Sequence, residues 1–596
     1  MRLGKRGRKI GNRQFQSHSA SESFDIPEFV DNNLDDKEAV EALADHFSMI
    51  SQEFQPIDAN EFPPNIKQEL KRGKLDKNLP ILEEYEVFDK ISKAKKPHST
   101  VSGDLKRILV KECSAELIPP VTIIYNKITW SKEYPRAWVN EQQIPIPKAN
   151  PPSSIDDVRN LSCTPFMSKQ YESFISDWLL PIVDPFLDPG QCGGLKNSSV
   201  SHYLIKLLHY IHFNLDRTDP HAILLGCVDM SKAFNRMSHQ KVIEDLYDMK
   251  VPGWLLLILI SYLSDRKMCM KFRGVFSALR SLPGSSPQGT VLGVILFIIY
   301  FNGAALRPRI PRPSWFFSKK RNDPVDISMK FIDDLSVAVK VNLKNDIIEV
   351  KDRQRPLTYD QRMETKIYDE NNLQQIIQNL EIFSSERQMR INATKSSVMK
   401  ICKSRTKVYP VEIKCGDNFL EVKDEIKILG VILTPNLKWF SNTNYICKKA
   451  YKSMWTIKRM KKLGMDSETL VDYYMKEVRV HLELAVPVWH SGLNKKLTAD
   501  IERVQRIAVS IILGKDLPYD QACTFLGLKN LSTRRLELCL RFAVKTATKS
   551  RHSDLFKLVK DGDHHTRSKR YREHNCKKSR FFNSPLPFLT RVLNNI

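Results

Sequence analysis

The stretch MKFIDDLSVAVK, residues 329–340, sets two adjacent carboxylates, Asp333 and Asp334, inside an otherwise apolar run. Burying like charges is costly, so the pair indicates either a solvated turn or a bound positive charge. The flanking residues, MKFI and LSVAVKV, are typical of strands. Because aspartate tolerates turn conformations, the pattern predicts a β-hairpin whose turn falls on Asp333 and Asp334.

A third carboxylate closes another apolar run. HAILLGCVDM (221–230) is typical of a buried strand, and Asp229 stands near its carboxyl end. Carboxylates at the ends of adjacent strands are able to share two divalent cations in phosphoryl transfer. Mg²⁺ prefers such oxygen ligands, and a cation would offset the cost of burying the charges. Asp229, Asp333 and Asp334 are therefore candidate metal ligands.

Two further features fit chemistry on a nucleotide. Phe234 follows Asp229 by five residues, where an aromatic ring is able to lie beneath a sugar, although an ordinary core position explains it as well. SSPQGTVLG (285–293) sets Gly and Pro at a loop-to-helix junction, where backbone approaches a base or phosphate closely. No GxxxxGK occurs in the sequence, which excludes a P-loop NTPase.

The charge of the chain predicts a polyanionic partner. Its 93 Lys and Arg against 68 Asp and Glu give a formal net charge of +25, which favours nucleic acid first and an anionic membrane surface second. The longest apolar runs, at 254–260 and 291–301, are shorter than the roughly 18–20 residues that span a bilayer. The basic N-terminus has no apolar stretch behind it, so we expect an intracellular protein of nucleus and cytoplasm with no stable membrane partner.

Three blocks together carry a family resemblance. CVDMSKAFNRM, SSPQGTVLGVILFIIYFN and MKFIDDLSVAV occur in the order and spacing of reverse transcriptase palm motifs. The chain most resembles the reverse transcriptases of non-LTR (LINE-type, jockey-like) retrotransposons. The likeness continues in QCGGLKNSSVSHYLI, INATKSSVMKI and ILGVILTPNLKW, and it covers roughly residues 34–590.

The resemblance implies an α+β, right-hand polymerase with fingers, a palm built on an antiparallel sheet and a helical thumb. The palm would carry a fingers-type insertion at 240–280 and a basic, Pro-rich insert at 307–325. The implied segments are a basic, disordered N-terminal segment with a helix near 34–52 (1–75), an N-terminal extension with the fingers (76–220), the palm (221–440), the thumb (441–548) and a basic C-terminal tail (549–596).

The implied activity is RNA-directed DNA synthesis. Asp229, Asp333 and Asp334 would hold two Mg²⁺, with Mn²⁺ as a possible substitute, while a primer 3′-hydroxyl attacks the α-phosphate of a dNTP. The implied partners are an RNA template, a DNA primer or target, and dNTPs. Other residues take roles by the same resemblance: Lys395 at the leaving pyrophosphate, Phe234 as a steric gate against a ribose 2′-hydroxyl, Gln288 and Gly289 at template and dNTP, Lys148 and Arg159 near the triphosphate, and Leu429 and Gly430 in the primer grip.

The chain also departs from the family pattern. Residues 1–75 are too few for the endonuclease domain that such elements usually carry upstream. Asn235 stands where the family commonly has an Asp, and Ile332 is bulkier than the residue that usually precedes the Asp pair. A catalytically decayed or domesticated fold that only binds RNA therefore stays open beside the active enzyme. An RNA-templated RNA polymerase is a further alternative, which Phe234 opposes, and a membrane-surface protein is a third.

Overall fold

A computed structural model describes residues 24–94, 101, 104, 107–148, 151–217, 221–304, 326–342, 359–402, 412–514, 517–559 and 570–595. The first 23 residues of the predicted disordered N-terminal segment and the Pro-rich insert at 307–325 lie outside these ranges. The chain divides into two compact units. Unit 1 comprises Met1–Phe186 and Phe234–Tyr300, and unit 2 comprises Leu187–Ala233 and Phe301–Ile596.

The strands of the described residues form sheets within each unit. They are β1 (Glu141–Pro147), β2 (Val158–Cys163), β3 (His221–Met230), β4 (Lys267–Phe272), β5 (Val275–Phe276), β6 (Arg280–Ser281), β7 (Asp326–Phe331), β8 (Asp334–Asn342), β9 (Ile391–Cys402), β10 (Lys414–Cys415), β11 (Asn418–Phe419), β12 (Glu421–Val422), β13 (Ile426–Ile428) and β14 (Val431–Leu433).

The helices of the same residues follow in chain order. They are α1 (Pro27–Asp31), α2 (Asp36–Ser51), α3 (Pro64–Leu75), α4 (Glu84–Lys93), α5 (Arg107–Glu112), α6 (Ser114–Ser131), α7 (Arg136–Val139), α8 (Phe166–Val183), α9 (Val200–Leu215), α10 (His239–Asp248), α11 (Gly253–Leu263), α12 (Val291–Tyr300), α13 (Tyr359–Glu386), α14 (Phe440–Lys462), α15 (Ser467–Tyr473), α16 (Arg479–Glu483), α17 (Val486–Trp489), α18 (Lys495–Leu513), α19 (Tyr519–Phe525), α20 (Leu531–Lys549), α21 (Ser579–Phe582) and α22 (Pro585–Asn594).

Unit 1 contains a sheet in the order β2-β1-β4-β5, with β6 also paired to β4. Helix α2 covers this sheet. It begins with a capping box in which Asp35 accepts from the Glu38 N–H at 2.7 Å and Glu38 accepts from the Asp35 N–H at 3.0 Å. Its apolar face, including Leu43 and Phe47, packs with Met268 of β4. An N-terminal helix is thus part of the core of unit 1.

Unit 2 contains a five-stranded sheet in the order β12-β9-β3-β8-β7, antiparallel except for the β12–β9 pair. Helix α9 packs on one face, where Leu225 of β3 joins Tyr203 and Leu207 in the core. Helix α13 packs on the other face, where a Cβ on Gly226 would lie 3.2 Å from a methyl group of Leu373. Because both faces are covered, β3 is apolar along its length rather than alternating.

The element predictions hold for one helix and one strand, but not for the palm hairpin or the C-terminal stretch. The helix near 34–52 and the strand at 221–230 are confirmed, and the mixture of helices and sheets confirms the α+β class. The turn predicted at Asp333 and Asp334 is wrong by one residue: β7 and β8 pair down to Phe331 and Asp334, so the turn consists of Ile332 and Asp333. The stretch predicted as a basic C-terminal tail contains α21 and α22. No helix among the described residues is both long and apolar enough to cross a membrane.

Candidate active site

The sheet of unit 2 brings two of the three aspartates together. Strands β3 and β8 pair antiparallel, with Val228 opposite Leu335 as the last pair. Asp229 follows Val228 on β3, and Asp334 precedes Leu335 at the start of β8. Both aspartates therefore lie just beyond this last pair, at the same end of the sheet.

The third aspartate occupies the turn between β7 and β8. Asp333 follows Ile332, whose φ of +65° lies in the left-handed region. A β-branched side chain in that region is a true outlier, and such strain accumulates at functional sites. Asp229 and Asp333 are half-buried, and Asp334 is exposed. The free-energy cost of burying these carboxylates is thus smaller than the sequence suggested, because they lie at the open end of the sheet.

Buried groups beneath the carboxylates feel the charge of Asp334. Burial raises the pKa of the Cys227 thiol to about 11, a hydrogen bond between the thiol and the Ser336 hydroxyl opposes the rise, and the Asp334 charge adds to it. Burial also raises the pKa of the Tyr203 hydroxyl well above its usual range, and Cys227 and Asp334 contribute in the same direction. The floor of the site is therefore neutral, since neither the thiol nor the phenol ionises near pH 7.

Lys395 lies in β9 at the point where the pairing between β9 and β3 is interrupted next to Asp229 of β3. The pairing of β3 with β9 shifts between Cys227, which opposes Ser397, and Asp229, which opposes Asn392. Ser396 accepts a hydrogen bond from the Asp229 N–H at 3.1 Å and donates to the Asn392 carbonyl at 2.7 Å. Such a bulge re-aims the side chains that it carries. Lys395 is exposed on this bulge, next in sequence to the Ser396 that bonds to the Asp229 backbone.

The oxygen chemistry of the three aspartates suits a hard divalent cation. Among the described residues, however, no three His, Cys, Asp or Glu side chains are grouped so as to hold a metal ion. The backbone thus brings Asp229 and Asp334 to the same end of the sheet, with Asp333 in the turn that precedes Asp334.

Four nucleotide-binding candidates lie around one hairpin of unit 1. Arg159 pairs with Ile146 in the β1–β2 ladder, and Lys148, just past the end of β1, donates to the Asp156 carbonyl at 2.7 Å. The Ser162 N–H donates to the Gln288 carbonyl at 2.8 Å. Gly289 has a φ of +118°, and a Cβ there would lie 2.7 Å from Leu161, so a side chain would fit poorly.

Phe234 packs in the interior of unit 1. Its ring stacks on Phe297 of α12 with centroids 4.6 Å apart and an interplanar angle of 20°. Its carbonyl accepts a hydrogen bond at 2.7 Å from the N–H of Ser286, in the same loop as Gln288. Phe234 is only 9% exposed. This burial fits an ordinary core phenylalanine as well as the predicted steric gate against a ribose 2′-hydroxyl.

Leu429 and Gly430 form the two-residue turn between β13 and β14 in unit 2. Their φ values are +48° and +86°, as a tight hairpin turn of this kind requires. A Cβ on Gly430 would lie 2.9 Å from Leu484. Strands β13 and β14 thus form a hairpin in the motif ILGVILTPNLKW, and the primer-grip role stays a prediction.

Sequence reasoning missed a residue that touches the aspartate turn. Gln191 is buried, and its side-chain oxygen accepts from the Ile332 N–H at 3.0 Å. The block QCGG that contains it entered the sequence analysis only as part of the family resemblance. Its two consecutive glycines could have pointed to this residue, because such a pair indicates a close approach of the backbone to a neighbouring segment.

Comparison with known proteins gives a consistent result. Residues 146–433 match the family described as reverse transcriptase (RNA-dependent DNA polymerase). A stretch of 231 residues is 26% identical to a Drosophila melanogaster protein named as a probable RNA-directed DNA polymerase from transposon BS. Another stretch, of 187 residues, is 27% identical to the RNA-directed DNA polymerase from mobile element jockey of the same species.

The matches are partial in both directions. They cover 38% and 30% of this chain, and 25% and 20% of the two relatives. The matched family region includes Asp229, Asp333, Asp334 and Lys395. The motifs and the antiparallel sheet that carries them agree with these matches: residues 146–433 are similar to reverse transcriptases, and the chain is similar to transposon-encoded RNA-directed DNA polymerases.

Proposed function

We propose that this chain is an RNA-directed DNA polymerase, which adds deoxynucleotides to a primer 3′-hydroxyl on an RNA template. The observation that carries the proposal is the antiparallel pairing of β3 and β8, which brings Asp229 and Asp334 to the same end of the sheet, with Asp333 in the adjoining turn. Carboxylates at the end of a rigid sheet are held in place by strands that are buried on both faces.

The three aspartates would bind divalent cations, two Mg²⁺ by the family resemblance, with Mn²⁺ as a substitute. Such cations, when bound, offset negative charge on a phosphoryl group during its transfer. Lys395 would neutralise charge on the leaving pyrophosphate, and its exposed position on the β9 bulge supports that role.

The candidates of unit 1 would bind the nucleotide and the template. Lys148 and Arg159 supply positive charge for a triphosphate, and Gln288 and Gly289 offer backbone and amide groups to a base. Phe234 would exclude a ribose 2′-hydroxyl. In unit 2, Leu429 and Gly430 would support the primer end. The partners are then an RNA template, a DNA primer or target, and dNTPs, in the nucleus and cytoplasm.

Primer extension on an RNA template tests the activity and its sugar preference. We expect the wild-type chain to incorporate dNTPs at least about 100-fold more efficiently than rNTPs. Phe234→Val should narrow that preference about tenfold, because the smaller side chain admits the 2′-hydroxyl. Phe272→Val, at another buried phenylalanine of unit 1, is the matched control and should keep the preference.

Three outcomes would contradict the proposal in different ways. Equal use of rNTPs by the wild type would favour an RNA polymerase. Tight RNA binding without incorporation of either nucleotide would favour the RNA-binding alternative, which the net charge of +25 also fits. Binding to anionic vesicles without either property would favour a membrane-surface protein.

A further inference from the structure

The segment Gly190–Gly193 of unit 2 lies along the outer edge of β7. The Cys192 N–H donates to the Lys330 carbonyl at 2.8 Å, and the Lys330 N–H donates to the Gly190 carbonyl at 3.0 Å. Gln191 and Lys330 form a parallel bridge at this point. The segment therefore extends the sheet by a short strand-like piece that ends beside the turn of Ile332 and Asp333.

The Gln191 side chain holds both polar groups of the Ile332 backbone. Its oxygen accepts from the Ile332 N–H at 3.0 Å and from the Gly193 N–H at 2.9 Å. Its amide nitrogen donates to the Ile332 carbonyl at 3.4 Å. Gln191 is 2% exposed, so water does not compete for these bonds. The glutamine amide thus acts on Ile332 as a neighbouring strand would.

The two glycines allow the segment to come this close. A Cβ on Gly193 would lie 2.5 Å from the Ile332 nitrogen and 2.7 Å from its side chain. A Cβ on Gly190 would collide with the Ser328 carbonyl oxygen of β7. Any side chain at either position would push the segment off the sheet, and Gln191 would lose its reach to Ile332.

A buried ion pair anchors the beginning of the segment. The Lys330 ammonium lies 2.9 Å from the Asp188 carboxylate, and the lysine side chain is 1% exposed. The same carboxylate accepts from the Gly190 N–H at 2.7 Å. The Asp188 N–H in turn donates to the side chain of Asn302 at 2.8 Å. The segment is thereby fixed to β7 at both of its ends.

We propose that Gln191 is a positioning residue, whose amide holds Ile332 in the left-handed conformation and so fixes the directions of the Asp333 and Asp334 carboxylates. An unsupported isoleucine would leave this conformation, because its branched side chain strains it. The turn would then rearrange, and Asp333 and Asp334 would lose their places at the end of the sheet that also carries Asp229. The inference rests on the proposed function and deepens it by adding a residue to the same site.

A double-substitution experiment separates positioning from general packing. Gln191→Met keeps the volume of the side chain and removes all three hydrogen bonds. We expect about tenfold faster hydrogen exchange at the Ile332 amide and about tenfold lower kcat for primer extension, with a smaller change in the KM for dNTP. Ile332→Gly should restore most of the lost kcat in the Gln191→Met background, because glycine adopts the left-handed region freely.

Gln505→Met is the matched control. Gln505 is a fully buried glutamine of α18 whose amide bonds to Tyr474, Tyr519 and Lys529. This variant should lower the melting temperature while it leaves Ile332 exchange and kcat unchanged. The exchange measurement needs no substrate, so it tests whether Gln191 holds Ile332 even if the wild-type chain extends no primer. A wild-type chain that extends no primer would refute the proposed function but would leave this test intact.

Two results would overturn the positioning proposal. One is Ile332 exchange in Gln191→Met that equals that of the wild type. The other is a double variant, Gln191→Met with Ile332→Gly, that is no more active than Gln191→Met alone, because a packing defect would not respond to the added glycine.

Discussion

At the scale of single residues, burial controls the protonation of Glu172 on α8 of unit 1. Burial raises the pKa of its carboxyl to about 7, and the nearby Arg266 guanidinium opposes the rise. Arg266 itself is fully buried in an ion pair with Glu141, at 2.9 Å. Glu172 is therefore protonated in the folded chain under mildly acidic conditions, whereas in the unfolded chain it ionises near pH 4.5.

We expect Glu172 to make folding depend on pH. The folded state holds its proton more tightly, so the stabilisation is complete below about pH 4.5 and is lost as the pH rises through about 7. The difference between these pKa values corresponds to roughly 3 kcal/mol. Glu172→Gln removes the titration, and its Tm should exceed that of the wild type at pH 8 by more than at pH 5. Parallel Tm curves for the two proteins between pH 5 and pH 8 would contradict this account.

The same scale shows why the aspartate turn was misplaced by one residue. Asp333 and Asp334 are strong turn formers, and isoleucine is a poor one, so local preferences put the turn on the two aspartates. The structure puts Ile332 in the turn because Gln191, 141 positions away in sequence, bonds to its backbone. Local patterns carry no information about such a distant partner.

At the scale of elements, α14 of unit 2 presents a basic and aromatic face. Trp455 is 60% exposed and Tyr451 is 39% exposed. The Arg459 guanidinium lies over the Trp455 ring, 5.2 Å from its centroid. Exposed lysines occur at helical spacing on the same face, at Lys448, Lys452 and Lys458. Such a face offers charge to phosphates and a ring to an unstacked base.

We expect the two kinds of side chain on α14 to affect nucleic-acid binding differently. Replacing the three lysines by alanine should weaken binding and lower the slope of log K against log salt by about 2–3, because each lysine releases about one counterion. Trp455→Ala should weaken binding by about 1–3 kcal/mol and leave the slope unchanged. Fluorescence anisotropy with labelled RNA at several salt concentrations measures both.

A triple variant of exposed lysines in unit 1, at Lys71, Lys74 and Lys77, controls for net charge. It removes the same three charges away from α14 and should keep the salt slope close to that of the wild type. An equal loss of slope in both triple variants would show that net charge alone, and not the α14 face, determines binding.

The elements that sequence patterns predicted well are those with one dominant signal. The apolar run of β3 and the capped, amphipathic α2 were located to within about two residues. The β9 bulge beside Lys395 was not predicted, because a shift of register depends on pairing with β3. Two side-chain hydrogen bonds stabilise the bulge, and they form only in the folded chain. The Asn392 side chain accepts from the Lys395 N–H, and the Ser396 hydroxyl donates to the Asn392 carbonyl.

At the scale of the whole molecule, each unit has its own sheet and its own set of candidate residues. Unit 2 carries the aspartates, Lys395 and the segment of Gln191. Unit 1 carries Lys148, Arg159, Phe234 and the loop of Gln288, around a sheet that α2 covers. The sequence motifs predicted the similarity to reverse transcriptases correctly, because each motif is contiguous in sequence. The division of the chain into units was not evident from them, since each unit is assembled from two separate stretches.

The central claim is that Asp229 and Asp334, which lie at the same end of the β3–β8 pair, support DNA synthesis. Single-turnover primer extension on an RNA template with Mg²⁺ and dNTPs tests it most directly, with RNA binding measured on the same preparations. The account predicts incorporation by the wild type and by Asp424→Asn, an exposed carboxylate outside the site, and a loss of about 1000-fold or more in Asp229→Asn and in Asp334→Asn, with RNA binding retained. Equal rates in the wild type and both site variants, or no incorporation by any of them, would contradict it.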